Sequence, residues 1–384
     1  MKKIPWRKGG TRSGFTVAAV LCAIVAVVGF VSWWAECRLD ARLQAYSAAG
    51  APVRLAQMAN VLPSVPERRN SAVRYARLFE KRTEYLGGSQ YAEDVDSVPF
   101  LDRTYEGTLQ LGNETKARCR LFIEKNADWF AALDDVAACT ASAPRFYTGC
   151  TLFAELRHPI VLVLEHAVRS LCMRAAYRNA HGDVDGCIED LERAQRINRQ
   201  MLAEPFMVNV VSTICGENAM YRVARAAAGN PDCSTAGRRR LRELCVPVSS
   251  GWLQRAVQLE RLSGLDYLYC RDRPVPKDNP YSLSYLKWMP KVLCCSKLET
   301  YLDYTDVCKA VFDLPPSRQL PVALTLEDCR ARKNPLRNPL LSLATPISAV
   351  TQFYRNHVLK ARKLRNFLAT REDQTSAEVS AFAQ

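Results

Sequence analysis

The sequence predicts an all-α protein: one N-terminal transmembrane helix followed by an irregular domain of antiparallel helices. Residues 15 to 35 form an uncharged apolar run. Farther along, apolar residues recur at steps of three and four, the period of one helix face. The links between those stretches are short and carry Gly, Pro, Asp or Ser, which favours antiparallel neighbours.

The apolar run comes first. From Phe15 to Ala35 only Thr16 and Ser32 are polar. At 1.5 Å per residue such a helix reaches about 30 Å, the thickness of a bilayer's hydrocarbon core. Trp33 and Trp34 stand at its far end, where indole favours the headgroup boundary. Lys2, Lys3, Arg7, Lys8 and Arg12 precede it, while Glu36, Arg38 and Asp40 follow. The positive-inside rule then places residues 1–14 in the cytoplasm as a basic tail. It puts residues 36 to 384 outside the cytoplasmic (inner) membrane, with lipid as the partner of 15–35. A cleaved secretory signal fits poorly, because the run is too long and the following WWAECR lacks a small-x-small site.

Composition is that of a folded chain: 384 residues, 48% hydrophobic and 24% charged. Of the formal charge of +14, the first fourteen residues supply +5 and Arg330 to Arg371 supply +10. The acidic tail after residue 371 takes back 3, which leaves residues 15 to 329 at +2. A nucleic-acid binder spreads its positive charge over a folded face, so nucleic acid is not an expected partner. Fifteen cysteines include no CxxC pair, and most read as small buried apolar residues.

Residues 36–113 read as membrane-proximal helices and an irregular segment. Arg38 to Ala49 continues as a helix stopped by Gly50 and Pro52, and SAVRYARLFEKRTEYL is a helix stopped by Gly87-Gly88. Residues 114–270 are the helical core. A first helix covers Glu114 to Ala138, with Cys119, Phe122, Ile123, Trp129 and Leu133 on its apolar side. A hairpin over 160–202 follows, turning at His181-Gly182-Asp183. Pro205 opens the next helix, which ends at Gly229. Ser234 caps another, and Ser250 or Gly251 begins the last. Residues 271–346 hold half of the twenty prolines and read as an irregular segment with an interrupted helix near Leu283 to Phe312. Residues 347–384 form a basic amphipathic helix with a frayed tail. Its stripe of Ile347, Val350, Tyr354, Val358, Ala361, Leu364 and Leu368 packs on the core or lies on anionic lipid.

Three resemblances add to this reading. Leu171, Ala175, Gly182, Cys187, Leu191 and Ala194 fall where a tetratricopeptide (TPR) hairpin places large, small, turn-glycine, small, large and small residues. The hairpin therefore looks TPR-like, although only one copy is present and a solenoid needs several. Gly14-Phe15-Thr16 after a basic stretch resembles the processing site of type IV prepilins and pseudopilins, with Gly14 and Phe15 flanking the cut. Ala19 stands where that family carries an acidic residue. The order of the anchor, PSVPERRNSAVRYARLF, ENADWF, APRF, HGDVDGCIEDL and AEPFMVNVV resembles an uncharacterised group of single-pass membrane helical proteins of planctomycete-type bacteria. That likeness spans roughly residues 15 to 265 and implies fold and location, with no activity attached.

Chemistry is sparse. No GxSxG, Walker A, GxGxxG or HExxH occurs, so no catalytic, cofactor-binding or metal-ligating residue is expected. Glu155 and His158 share one helix face, but a carboxylate-bridged metal site needs a second such pair. The acidic groups Glu93-Asp94-Asp96 and Glu189-Asp190 read as solvated. Arg238-Arg239-Arg240 is a tight basic cluster in a helix's first turn, an unfavourable place for cations. The expected function is therefore a non-enzymatic scaffold that binds a protein or peptide. A minor-pseudopilin-like subunit of a secretion or pilus apparatus, or an enzyme of unrecognised type, are the alternatives.

Overall fold

The computed structural model describes residues 10–54, 111–139, 159–203, 206–269, 291–332 and 346–382, with isolated positions between 57 and 109. Among these the protein is all-α, with no strand. The helices are α1 (Gly10–Ala48), α2 (Asn113–Lys125), α3 (Ala127–Ala137), α4 (Pro159–Asn179), α5 (Val184–Gln200) and α6 (Met207–Gly229). They continue with α7 (Thr235–Leu244), α8 (Ser250–Tyr269), α9 (Lys291–Val311), α10 (Pro316–Arg332) and α11 (Ile347–Phe382). The proposed helix near residues 71 to 86 falls mostly outside the described residues.

Helix α1 is unbroken for 39 residues. It is long and apolar enough to cross a membrane, and its large apolar side chains from Val17 to Trp34 are exposed on every side. Burial begins at Ala35 and repeats at Leu39 and Leu43, the spacing of a single face. Gly50, at φ +72°, ends the helix. Its N–H donates to the Ser47 carbonyl at 3.0 Å, and that of Ala51 to Tyr46 at 2.9 Å, the paired bonds of a Schellman stop.

The single helix expected over 114–138 is two helices. The Asn126 side chain donates to the Phe122 carbonyl at 2.8 Å, and its backbone leaves the helical region at φ −114°, ψ 34°. An asparagine amide that competes for a backbone carbonyl in this way breaks a helix locally. Trp129, fully buried in α3, donates from Nε1 to the Ser170 hydroxyl of α4 at 3.2 Å.

Helices α4 and α5 form the hairpin. Gly182, at φ +82°, makes the turn. Asp183 caps α5 by accepting from the Gly186 N–H at 2.9 Å, as Ser234 caps α7 by accepting from Gly237 at 3.0 Å. Helix α6 runs through the centre, buried nearly all round and packed against α4, α5, α7, α8 and α11. One apolar cluster joins its second half to α2–α5, α7 and the later part of α11. Another joins its first half to α8, α9, α10 and the start of α11.

Two expectations are corrected here. The helix over 291–311 falls within the stretch where an interrupted helix was expected, whereas 316–332, read as irregular, is a second full helix. Pro316 opens α10 at the position where proline's missing N–H costs nothing, and the helix carries Pro321 within it. At the C-terminus, helix continues to Phe382 where fraying was expected. The stripe of α11 is a core face, with Ile347, Val350, Tyr354, Ala361, Leu364 and Leu368 buried.

Two predictions arise from packing. At Gly264 of α8 an added Cβ would stand 2.3 Å from the Tyr301 ring. That ring is buried, and its hydroxyl donates to the Glu260 carbonyl at 2.9 Å, so it cannot swing away. Helix propensity alone favours Gly264→Ala by about 1 kcal/mol. Overpacking of about 1–3 kcal/mol opposes it, and a net loss in urea unfolding is expected. The second concerns Glu260, whose carboxylate accepts from the Met207 N–H at the start of α6 at 3.2 Å. Burial raises it to about 6, against the lowering effect of that N–H. The folded state therefore binds the proton more tightly than the unfolded chain. Stability from this group is fully present below the unfolded value and is lost as pH rises through 6, by about 2 kcal/mol at most. Unfolding midpoints between pH 4.5 and 7 should show this fall, and Glu260→Gln should remove it.

Candidate functional site

The hairpin holds a dense network of charged side chains centred on a buried carboxylate. Asp190, on α5, is fully buried. Arg174 of α4 grips it with two bonds, Nε to Oδ2 at 2.9 Å and Nη2 to Oδ1 at 2.6 Å. Arg193 reaches Oδ1 at 3.1 Å and Arg178 reaches Oδ2 at 3.2 Å. Asp134 of α3 joins the same network at 3.2 Å from Arg174 and 3.3 Å from Arg193. The expectation that Glu189-Asp190 is a solvated pair is thus wrong for its second member. Adjacent helical residues point about 100° apart, so Glu189 faces outward at the rim while Asp190 turns inward. Three guanidiniums supply what a buried carboxylate requires.

Beside this network lies a cleft of about 360 Å³ between α2–α3 and α4, lined by Ile123, Ala127, Phe130, Ala131, Asp134, Arg174, Tyr177 and Arg178. The Arg174 guanidinium lies 4.5 Å from the centre of the Phe130 ring, a cation–π contact that flattens it against the wall. Arg178 is held at the mouth by the Gly186 carbonyl at 3.0 Å. The imidazole of His181 packs on Tyr177, with centroids 4.2 Å apart, and its Nδ1 lies 2.8 Å from the Tyr177 carbonyl. The cleft thus has apolar walls and a rim of charges already matched within the protein.

The six hairpin positions singled out in the sequence come together. Leu171, Ala175, Cys187, Leu191 and Ala194 are fully buried between the helices, and Gly182 takes the left-handed turn. Gly14 and Phe15 lie near the start of α1. The three consecutive arginines separate. Arg240 forms a bidentate pair with Glu192 at 2.8 and 2.9 Å, Arg239 is 3.8 Å from Glu243, and Arg238 is buried. Glu155, His158 and Glu93-Asp94-Asp96 lie outside the described residues. The described cysteines are free thiols. Burial pushes Cys119 up to about 11, and Cys172 and Cys245 to about 12, so these are inert packing groups.

Sequence reasoning missed a second polar site. Glu217 of α6 and His357 of α11 are both fully buried, with Nε2 and Oε2 2.9 Å apart. The same Oε2 accepts from the Tyr221 hydroxyl at 3.2 Å and the Val248 N–H at 3.3 Å, and Oε1 accepts from Arg199 Nε at 3.4 Å. His357 Nδ1 is 3.1 Å from Asn218 Oδ1, and its ring stacks on Tyr221 at 5.5 Å. Burial first, then the Glu217 charge, pushes the Tyr221 phenol far up, which keeps it a donor. The sequence does carry a signal: Glu217 interrupts an otherwise buried helix, and His357 falls in register on the α11 stripe.

A third missed cluster joins α1 to the domain. Arg42 donates to Asp303 at 2.7 Å and Asp306 at 2.8 Å. Tyr46 donates to Asp306 at 2.6 Å, and Arg261 of α8 lies 4.0 Å from the Tyr46 ring centre. No family model, curated protein or solved structure matches the chain.

Proposed function

We propose that this chain is a membrane-anchored, extracytoplasmic helical scaffold that holds a protein or peptide partner. The carrying observation is the cleft at Phe130 and Tyr177. Its aromatic and aliphatic walls suit an apolar side chain, and its Asp134, Arg174 and Arg178 rim offers orienting contacts without exposing an unmatched charge. The exposed apolar half of α1 supports the anchor, and the basic tail before it supports an N-terminus in the cytoplasm. The likeness to a TPR hairpin and to the planctomycete-type membrane group supports the same reading. So does the sealing of Glu217 and His357, among the described residues the pair nearest in kind to acid–base machinery, away from solvent.

The test is photo-crosslinking from Tyr177 in native membranes. A reproducible protein partner that disappears in Ala131→Arg, an exposed position of the cleft, supports the scaffold; recovery of none overturns it. The pseudopilin-like alternative rests on Gly14-Phe15-Thr16, and intact mass decides it. A mature chain beginning at methylated Phe15 establishes that route, and an uncut N-terminus removes it.

A further inference from the structure

The second half of α1 and helix α9 run side by side in the same direction. Arg42 meets Asp303 across a separation of 261 positions, and Arg38 meets Glu299 at 3.3 Å across the same separation. A constant offset in two parallel helices of equal rise fixes their levels. Cys295 is therefore level with Trp34, and Lys291, the first residue of α9, is level with Phe30. That is about 6 Å nearer the centre of the apolar run than Trp34. Burial agrees: on α1 the covered face begins with half-buried Ser32 and then Ala35 and Leu39, while Cys295 and Leu298 are buried on α9. Helix α8 returns toward the same end. Gln254 pairs with Asp313 at 2.6 Å and Arg261 with Asp306 at 3.4 Å, so α8 runs antiparallel to α9 and ends at Tyr269 about level with Leu298, two turns short of the start of α9.

The exposed apolar surface of α1 stops at Trp34, and the Arg38 guanidinium lies 4.9 Å from the Trp34 ring centre. An indole capped by a cation one turn farther out marks the headgroup boundary. No length of chain separates that boundary from the domain. We propose that the first turn of α9 is a second bilayer contact, seated where the headgroups meet the hydrocarbon of the phospholipid surface that α1 crosses. The turn reads Lys-Val-Leu-Cys-Cys from residue 291, a basic residue followed by apolar ones, which suits that depth. The domain then stands directly on the membrane with the start of α9 beneath it. This inference rests on α1 being a membrane span.

The test places a photoreactive phenylalanine analogue at Trp34, Ser296 or Val307 of the full chain, reconstituted in vesicles of phosphatidylcholine and phosphatidylglycerol. Ser296 and Val307 are both exposed on α9, eleven residues and about 16 Å apart along its axis. Lipid adducts from positions 34 and 296 with none from 307 are the expected result. Adducts from 34 alone overturn the second contact and leave the span intact. Adducts from all three show a domain lying along the bilayer, which also overturns it. Absence of adducts from 34 removes the membrane span and the inference with it.

Discussion

Asp190→Ala is expected to lower the unfolding free energy by about 3–5 kcal/mol, the cost of breaking a buried ion pair from one side. The reason lies in what remains. Arg174 keeps only a tenth of its side chain exposed and would lose both of its strongest bonds. Asp134, nearly half exposed, cannot replace them. Arg178 and Arg193 are more open and lose less. Asp190→Asn should fall between, since it keeps an acceptor without the charge. A double change of Asp190→Leu with Arg174→Met should recover much of the loss, because a well-packed apolar pair replaces the desolvated charges. Urea unfolding of the full chain in detergent micelles, followed by circular dichroism, measures all three. The single Asp190 variants should also weaken crosslinking from Tyr177, because Arg174 forms a wall of the cleft. A stable Asp190→Ala variant would show that the network does not hold the hairpin.

Glu217→Ala should cost a similar amount by a different route. One carboxylate satisfies the Tyr221 hydroxyl, the Val248 N–H and the Arg199 guanidinium, and faces His357. Removing it leaves at least two buried donors without an acceptor, each worth about 1–3 kcal/mol. These groups come from α5, α6, the link before α8, and α11, so the loss should be local before it is global. Hydrogen exchange should accelerate first over residues 347–368, where α11 depends on that junction. Trypsin should then cut in its row of Arg355, Lys360, Arg362, Lys363 and Arg365, all exposed on the outer face. Exchange that accelerates uniformly over the whole domain would contradict the local assignment.

How much the sequence revealed follows the range of each interaction. Features set within a few residues were legible: the glycine stop at 50, the turn at 181–183, the cap at Ser234, and the small residues that let the hairpin close. The apolar stripe of α11 was legible as a stripe, while its burial partner was not. Features that depend on distant chain were hidden. Glu189 and Asp190 look alike as letters, and only the arrival of Arg174, sixteen residues away, makes the second a buried anchor. Glu217 and His357 lie 140 positions apart, and Arg42 meets α9 after 261. Asn126 misled for a local reason: its amide bonded the backbone where helix periodicity ran straight through it. The prolines of α10 misled in the opposite sense, since one opens the helix and another sits inside it.

The junction at Trp34–Ala35 has a mechanical consequence. Neither glycine nor proline interrupts α1 between Gly29 and Gly50, and Arg42 and Tyr46 lock that stretch to α8 and α9. With α1 in a bilayer, the domain has no swivel: any turn of the span about its axis turns the whole body through the same angle. Inserting one residue just after Trp34 would shift the span's azimuth by about 100° against the domain. Two copies brought together through their spans would therefore always present the same flanks to each other, and the anchor would set their mutual orientation as firmly as it sets their address.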